Sequence, residues 1–198
     1  MPEVRTAATA DIPDVGAALA AAFDDDPVWG FLAPDASRWA ERAAAWFRAE
    51  AKLKLAGHGE VLVDDQVRGA ALWAPPKTWK ATLGETAKVA PASLRLFRGR
   101  TIRALQTQTA LERIHPREPH WYLAFLGTDP RHQGHGIGSA LITSVTDRCD
   151  AEGMPAYLES SKESNIAFYA RHGFVATDPI ALPGGGPTMY PMWREPKG

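Results

Sequence analysis

Apolar residues recur along the chain with two spacings, which predict helices alternating with strands. A helical spacing carries Ile12, Val15, Leu19 and Phe23 on one face, with Thr9 as its predicted cap and Pro27 beyond its end. A second helix is predicted from a cap at Ser37 to about Gly57. Short apolar runs predict strands at 4–7, 60–63, 67–73, 121–126, 156–160, 174–177 and 188–193. Strands alternating with helices predict an α/β or α+β sheet protein.

The segment 77–115 is predicted to be helical in amphipathic pieces interrupted by Pro91. Its arginines form a basic face, but apolar residues are interleaved with them, as on a solvated helix that covers a core. These arginines are Arg95, Arg98, Arg100 and Arg103. A length of 198 residues suits one domain, so we expect a single domain over 1–198 with 77–115 as a helical insertion.

The overall charge argues against two classes of partner. A formal net charge of -1 gives no general attraction to nucleic acid or to an anionic membrane. No apolar run approaches the roughly 18 residues of a membrane span, and the N-terminus lacks a secretion signal pattern. The single cysteine, Cys149, has the spacing of a buried core residue. These features predict a cytoplasmic protein without a nucleic-acid or membrane partner.

A glycine-rich stretch, Gln133-Gly-His-Gly-Ile-Gly138, follows a predicted strand and precedes a predicted helix. Glycines let the backbone approach an anion, and the amides of a helix N-terminus hold its charge. The dinucleotide pattern fails because its last glycine would fall on Ser139 or Leu141, and the nucleotide P-loop pattern fails for want of a lysine. The pattern Gln-x-x-Gly-x-Gly remains, and the structural alternative is a tight turn without a ligand.

The order and spacing of four C-terminal elements resemble the GNAT acetyltransferase superfamily. They are the strand 121–126, the glycine-rich stretch, the strand 156–160 and the segment Asn165–Phe174. The resemblance implies an α+β fold with a central mixed, mostly antiparallel sheet of six to seven strands flanked by helices. Two of these strands would splay apart at the acetyl-CoA site. Further similar stretches point to acetyltransferases that modify antibiotics, with a looser match over 28–114, where an acceptor would be chosen.

The same resemblance implies a set of residues that bind acetyl-CoA, the expected cosubstrate. Backbone amides of the glycine-rich stretch would hold the pyrophosphate, with side chains beside it, and the pantetheine arm would pair with the strand that ends near Gly127. Gly127 would mark a bulge or a close ligand approach. The predicted contacts are Leu126, Gly127, Thr128, Arg131, His132, Gln133, Gly134, His135, Gly136, Ile137, Gly138, Ser139, Asn165, Phe168 and Tyr169.

Two residues are the catalytic candidates. Tyr169 occupies the position that, by the resemblance, gives a proton to the departing CoA thiolate, whereas its structural alternative is packing beside Phe168. Glu159 is a carboxylate within an apolar strand, which suggests a general base for the acceptor amine. A structural salt bridge, or a water chain that ends at Glu159, would explain it equally well.

The acceptor is predicted to meet the first half of the chain. Asp26, Trp29 and Phe31, preceded by Asp24 and Asp25, combine negative charge with aromatic surface, which would attract a cationic amine. The alternative is a polar helix end with a core aromatic residue behind it. The histidines lack the companions of a metal site, so no metal is expected.

Three functions follow from these patterns. The leading hypothesis is an enzyme, a GNAT-type acetyltransferase, that acetylates a primary amine of a small molecule such as an aminonucleoside or related antibiotic. The second is acetylation of a protein or peptide amine, and the third is a non-catalytic sensor that binds acetyl-CoA. A monomer or a homodimer would suit any of them.

Overall fold

The computed structural model describes residues 2–33, 35–57 and 59–198. Its strands are β1 (Val4–Thr6), β2 (Glu60–Asp64), β3 (Gly69–Ala74), β4 (Trp121–Thr128), β5 (Ala156–Ser160), β6 (Val175–Ala176), β7 (Ile180–Ala181) and β8 (Thr188–Arg194). Its α-helices are α1 (Ile12–Ala22), α2 (Pro27–Leu32), α3 (Trp39–Ala56), α4 (Leu83–Phe97), α5 (Thr101–Ile114), α6 (Ile137–Glu152) and α7 (Ile166–Arg171).

One central sheet carries the fold, in the strand order β1-β2-β3-β4-β5-β8-β6, with β7 beside β8. Neighbouring strands are antiparallel except for β4 and β5, which are parallel. The predicted mixed, mostly antiparallel sheet is therefore confirmed. Among the described residues the sheet has eight strands rather than six or seven, because β6 and β7 are pieces of only two residues each.

The parallel strands β4 and β5 separate part-way along their length. Their register runs from Trp121 opposite Ala156 to Leu123 opposite Leu158 and ends there, although β4 continues to Thr128. Beyond that point neither strand supplies the other with backbone partners. The backbone groups that face the gap can therefore pair with an extended ligand.

Helices cover both faces of the sheet. On one face, α1, α2, α3 and α4 bury an aromatic core around Trp29, Phe47 and Phe125. On the other face, α6 packs Leu141, Ile142 and Val145 against side chains of the central strands, including Trp73 and Leu158. Side chains that alternate along β5 therefore point into different layers: Leu158 faces α6, whereas Tyr157 and Glu159 face the opposite side.

Several predicted helix boundaries are wrong in detail. Neither Thr9 nor Ser37 caps a helix through its side chain, because a short 3-10 turn precedes each α-helix. Pro27 opens α2 instead of only ending α1, and Asp26 caps it. Pro91 does not interrupt α4, which runs through it with the proline exposed, and the break falls at Arg98, whose φ is 46°.

Gly127 has a structural role that differs from the predicted bulge. The irregularity in β4 falls at Ala124, since Leu72 pairs with Phe125 while Trp73 pairs with Leu123. A Cβ added to Gly127 would lie 2.7 Å from the Cβ of Ala22. The missing side chain therefore lets α1 pack closely against β4.

Candidate active site

The glycine-rich stretch forms the predicted turn between β4 and α6. Gly134 and Gly136 have φ values of 79° and 78°, a left-handed conformation that suits glycine. Gly136 is the N-cap of α6, and no side chain caps this helix. The first amides of α6 therefore point outward without an internal side-chain acceptor, as an anion site at a helix N-terminus requires.

Three of the four polar side chains beside this turn make local hydrogen bonds. Arg131 donates to the buried carboxylate of Asp129 at 2.6 Å, and this hydrogen bond, with the charge of Asp129, raises the pKa of the guanidinium. Its side chain remains 81% exposed, so it can still reach a phosphate. Gln133 donates to the Thr128 carbonyl at 3.2 Å, and His135 folds back on the Gln133 carbonyl at 2.9 Å. The Nδ1 atom of His132 is buried without a hydrogen-bond partner in the described chain.

Helix α7 lies across the start of α6. The Phe168 ring tip is 3.5 Å from where a Cβ on Gly138 would stand, so the two elements are in contact. His172 places Nε2 3.2 Å from Oγ of Ser139. Asn165 precedes α7 without making a side-chain capping bond. The structure thus brings Ser139, Asn165, Phe168 and Tyr169 to one corner of the fold.

Tyr169 keeps its proton throughout the neutral range. Burial, followed by the negative charge of Asp26, raises the pKa of Tyr169 well above its ordinary value. Its hydroxyl makes no hydrogen bond to any described residue and is not fully enclosed. A protonated phenol with an unused donor can give a hydrogen bond or a proton to a ligand.

Glu159 lies in a buried polar cluster on the face of the sheet away from α6. Its Oε1 is enclosed without a hydrogen-bond partner in the described chain and lies 3.7 Å from Nδ1 of His115, which is too far for a hydrogen bond. Burial, followed by the charge of Glu159 and hydrogen bonding to its carboxylate, raises the pKa of Tyr122 and of Tyr157. The carboxylate thus stands among two neutral phenols and an imidazole, one position beyond the last paired residues of β4 and β5.

Two cavities flank the loop between α5 and β4. One, of about 460 Å³, is bounded by Trp79, His115 and His120 and by charged residues of the 77–80 and 112–118 segments. The other, of about 620 Å³, is lined by Tyr157, Trp193, Ile180 and Pro191, with Glu118 and Asp178 among its boundary residues. Because Tyr157 points to the same face of β5 as Glu159, the larger cavity opens beside the polar cluster.

The predicted acceptor residues serve the packing of the fold in this structure. Asp26 is 4% exposed and accepts hydrogen bonds from the amides of Val28 and Trp29 and from the Ser161 hydroxyl. Trp29 is 8% exposed within the aromatic core. Phe31 lies under the guanidinium of Arg103, 4.4 Å from ring centroid to Cζ. The structure favours the alternative interpretation, a helix cap with core aromatic residues, over an acceptor contact.

Two further kinds of site were sought among the described residues, a metal-binding cluster and a reactive cysteine. Across residues 2–33, 35–57 and 59–198, no group of three or more histidine, cysteine, aspartate or glutamate side chains could hold a metal ion. Cys149 is buried, and burial raises the pKa of its thiol to about 12, which makes it inert as a nucleophile. Within the same ranges, no helix has the length and apolarity needed to cross a membrane.

Sequence reasoning missed the contribution of His115 and His120 to this cluster. Their rings meet at 3.0 Å between the two Nε2 atoms, and both residues are buried. The available signal was a pair of histidines around Pro116 and Pro119, just before the strand that neighbours Glu159. Their meeting with Glu159 depends on the register between β4 and β5, which the sequence does not specify.

Comparisons with known proteins agree with this geometry. Residues 92–174 match the model of the Acetyltransferase (GNAT) family, a range that includes the glycine-rich turn, Glu159 and Tyr169. A solved acetyltransferase from Corynebacterium glutamicum, described as histone acetyltransferase HPA2 and related acetyltransferase, is 28% identical. Its TM-score is 0.71, over 100% of this chain and 97% of that one. Over residues 92–174 the chain therefore resembles a GNAT acetyltransferase domain. The predicted enzyme class, a GNAT-type acyltransferase, is thereby confirmed.

Two further similarities bear on the GNAT domain. An uncharacterized N-acetyltransferase of Schizosaccharomyces pombe is 39% identical over 75 residues, which are 37% of this chain and 30% of that protein. The chain thus matches under a third of the length of this relative. The Drosophila melanogaster polyamine N-acetyltransferase is 14% identical with a TM-score of 0.62, over 98% of this chain and 100% of that one, and shares the fold.

Proposed function

We propose that this GNAT domain transfers an acetyl group from acetyl-CoA directly to a primary amine of a small molecule. The observation that carries the proposal is the position of Glu159, a buried carboxylate whose Oε1 has no hydrogen-bond partner in the described chain, just beyond the point where β4 and β5 part. When bound, acetyl-CoA would supply an acetyl group activated as a thioester. The inert Cys149 supports direct attack by the amine rather than a cysteine-linked route.

The residues of the glycine-rich turn fit a pyrophosphate. The uncapped start of α6 offers the amides of Ile137, Gly138 and Ser139, and the left-handed Gly134 and Gly136 keep side chains out of the approach. Arg131, His132 and Gln133 stand beside them, with His135 folded against the turn. Leu126, Gly127 and Thr128 on β4 would pair with the extended arm of the cosubstrate, and Asn165 and Phe168 would border it.

The chain's own residues then handle the protons. An amine that enters as an ammonium ion loses two protons on becoming an amide. Glu159 accepts one of them, which exposes the nitrogen lone pair for attack. Tyr169, which is protonated at neutral pH, donates a proton to the departing sulfur, and the second nitrogen proton restores it. One proton per turnover remains to be released to solvent.

The larger cavity supports a small-molecule acceptor. Its lining by Tyr157, Trp193 and Ile180 would bind an apolar or aromatic body, while Asp178 and Glu118 would attract its positive charge. Stretches that resemble puromycin N-acetyltransferase make aminonucleosides, including puromycin, the first acceptors to try, with antibiotic resistance as the corresponding role. The 620 Å³ volume suits a molecule of that size.

The test of this proposal is product formation with defined amines. The protein is incubated with acetyl-CoA and one amine at a time, chosen from puromycin, polyamines, aminoglycosides and short peptides. The masses of the products are determined by mass spectrometry. Acetylation of one small-molecule class, and of none of the peptides, would support the proposal. Acetylation of peptides alone would favour the protein acetyltransferase alternative, and binding of acetyl-CoA without any product would favour the sensor.

A further inference from the structure

The two buried histidines beside Glu159 form a hydrogen-bonded pair in which the donor and acceptor nitrogens can be assigned. Nδ1 of His120 lies 2.6 Å from the Glu118 carbonyl oxygen, which can only accept, so this nitrogen carries a proton. In the neutral ring, Nε2 of His120 is then an acceptor. Nε2 of His115, 3.0 Å away, must be its donor. This leaves Nδ1 of neutral His115 without a proton, facing Oε1 of Glu159 at 3.7 Å.

Aromatic packing holds the histidine pair in place. The Trp79 indole stacks on His115 with ring centroids 3.7 Å apart, and Tyr122 and Tyr157 meet the same ring edge-on at 4.8 Å and 5.0 Å. His115 is 7% exposed and His120 is 2% exposed. Burial lowers the pKa of His120, so that the ring is neutral at rest and can accept a proton.

The histidine pair lies between Glu159 and a cavity on the other side of the two rings. Both rings border the 460 Å³ cavity on the side of the 112–120 loop, separate from the larger cavity beside Tyr157. The titratable groups facing the pair are Glu159, Tyr122 and Tyr157 from the strands. Around the cavity stand Lys77, Lys80, Glu112, Arg113, Arg117 and Glu118.

We propose that His115 and His120 relay the proton that Glu159 takes from the acceptor amine to water in the smaller cavity. This relay rests on the proposed acetyl transfer, which must release one proton per turnover. Protonated Glu159 gives its proton to Nδ1 of His115, which passes its Nε2 proton to Nε2 of His120. His120, then protonated at both nitrogens, loses one proton to water in the cavity that both rings border, and exchange with that water resets the ring tautomers.

A static ion pair is the structural alternative, and two observations disfavour it. The distance of 3.7 Å between Nδ1 of His115 and Oε1 of Glu159 exceeds that of a hydrogen bond. The other polar groups beside the carboxylate, the hydroxyls of Tyr122 and Tyr157, are neutral phenols and not cations. A charge buried for stability alone would be paired more closely, because an unpaired buried carboxylate costs free energy. The gap is instead one that a small side-chain movement closes when the proton passes.

The first arm of the test measures turnover in His115→Asn and His120→Asn. We expect kcat at pH 7 to fall about tenfold in each, with the KM for acetyl-CoA unchanged. Added imidazole should raise kcat of the variants in proportion to its concentration and leave the parent protein unaffected, since a free base then accepts the proton. Lys80→Ala, at the cavity rim, is the control and should retain the parent rate. Histidine variants with the parent kcat, or with a loss that neither imidazole nor high pH restores, would overturn the relay.

The second arm needs no turnover. Nitrogen NMR of the labelled parent protein at neutral pH should show His120 protonated at Nδ1 and His115 at Nε2. Both signals should shift in Glu159→Gln. A permanently cationic ring, or the opposite tautomers, would contradict the relay. A parent protein that acetylates no amine would overturn the proposed function, whereas an active parent with fully active histidine variants would overturn only the relay.

Discussion

At the scale of single residues, the account depends on the protonation states of a phenol and a carboxylate. The phenol is Tyr169, whose raised pKa keeps it a donor, and the carboxylate is Glu159, whose Oε1 lacks a hydrogen-bond partner among the described residues. They stand on different elements, one on α7 and one on β5. A proton donor and a proton acceptor in fixed positions suit a reaction that removes a proton from a nitrogen and adds one to a departing sulfur.

Removing the phenol tests the acid role. Tyr169→Phe should lower kcat about 10- to 100-fold while the dissociation constant of acetyl-CoA stays near that of the parent. The modest size follows from the leaving group, because a thiol of pKa about 8.5 departs fairly well unaided. Steady-state kinetics and calorimetry give the two quantities. A variant with the parent kcat would refute the acid role, and a variant that no longer binds acetyl-CoA would point to packing.

Removing the carboxylate tests the base role. Glu159→Gln should lower the rate at pH 7 and recover part of it as pH rises, because the free amine then forms without help. Glu163→Gln, an exposed glutamate close by in sequence, is the matched control and should leave the pH–rate profile unchanged. If both variants give the parent profile, Glu159 is not the base.

At the scale of elements, the site depends on a strand, a turn and a helix that meet in a fixed geometry. Gly136→Ala places a side chain at a φ of 78°, which costs about 1–2 kcal/mol and pushes a methyl group toward the anion approach. We expect weaker acetyl-CoA binding, measured by calorimetry, with a small loss of stability.

Gly84→Ala in α4 is the control for that change. A Cβ added to Gly84 would meet no other atom, so alanine should raise stability by about 0.4–1 kcal/mol without changing acetyl-CoA binding. Equal acetyl-CoA binding by both variants would show that the turn at Gly136 does not hold the ligand.

The elements themselves could largely be predicted, because periodicity is a local signal. The strand at 121–126, the turn after it and the helix that follows all stand where the sequence predicts. Helix caps were less predictable: Asp26 caps α2 and Thr9 caps nothing, since a cap depends on where the preceding turn ends. Likewise, the close approach of Ala22 to Gly127 was not predicted, because it is a contact between residues far apart in sequence.

At the scale of the whole molecule, the two halves contribute differently. Residues after 120 build the corner proposed for the cosubstrate from local motifs, so the elements of this corner could be predicted. The polar cluster instead joins Trp79, His115 and Glu159, which come together only when α5 is placed over the sheet. Asp26 and Trp29 looked like acceptor contacts because exposed and buried aromatic clusters have the same sequence signature.

One long-range ion pair ties the last strand to α6. Arg194 on β8 is 2% exposed and donates to Asp150 at 2.6 Å, and this hydrogen bond is the main cause that lowers the pKa of Asp150. Because the folded-state pKa is lowered, this stabilisation is complete above the ordinary aspartate value near 4 and is lost as pH falls through the folded-state value.

Asp150→Asn should therefore cost about 3 kcal/mol of unfolding free energy at pH 7, since it leaves a buried guanidinium without its counter-charge. The loss relative to the parent should shrink below about pH 4. Denaturant unfolding at both pH values measures it. An equal loss at both would mean that packing, and not the charge, stabilises this contact.

The most direct test of the central claim is thiol release from acetyl-CoA, followed with a chromogenic reagent, by the parent protein and Glu159→Gln in the presence of puromycin and other small amines. The account predicts that one small-molecule amine stimulates release by the parent and that the variant responds far less at pH 7. Release that no amine stimulates, or equal stimulation of both proteins, would contradict acetyl transfer to an amine activated at Glu159.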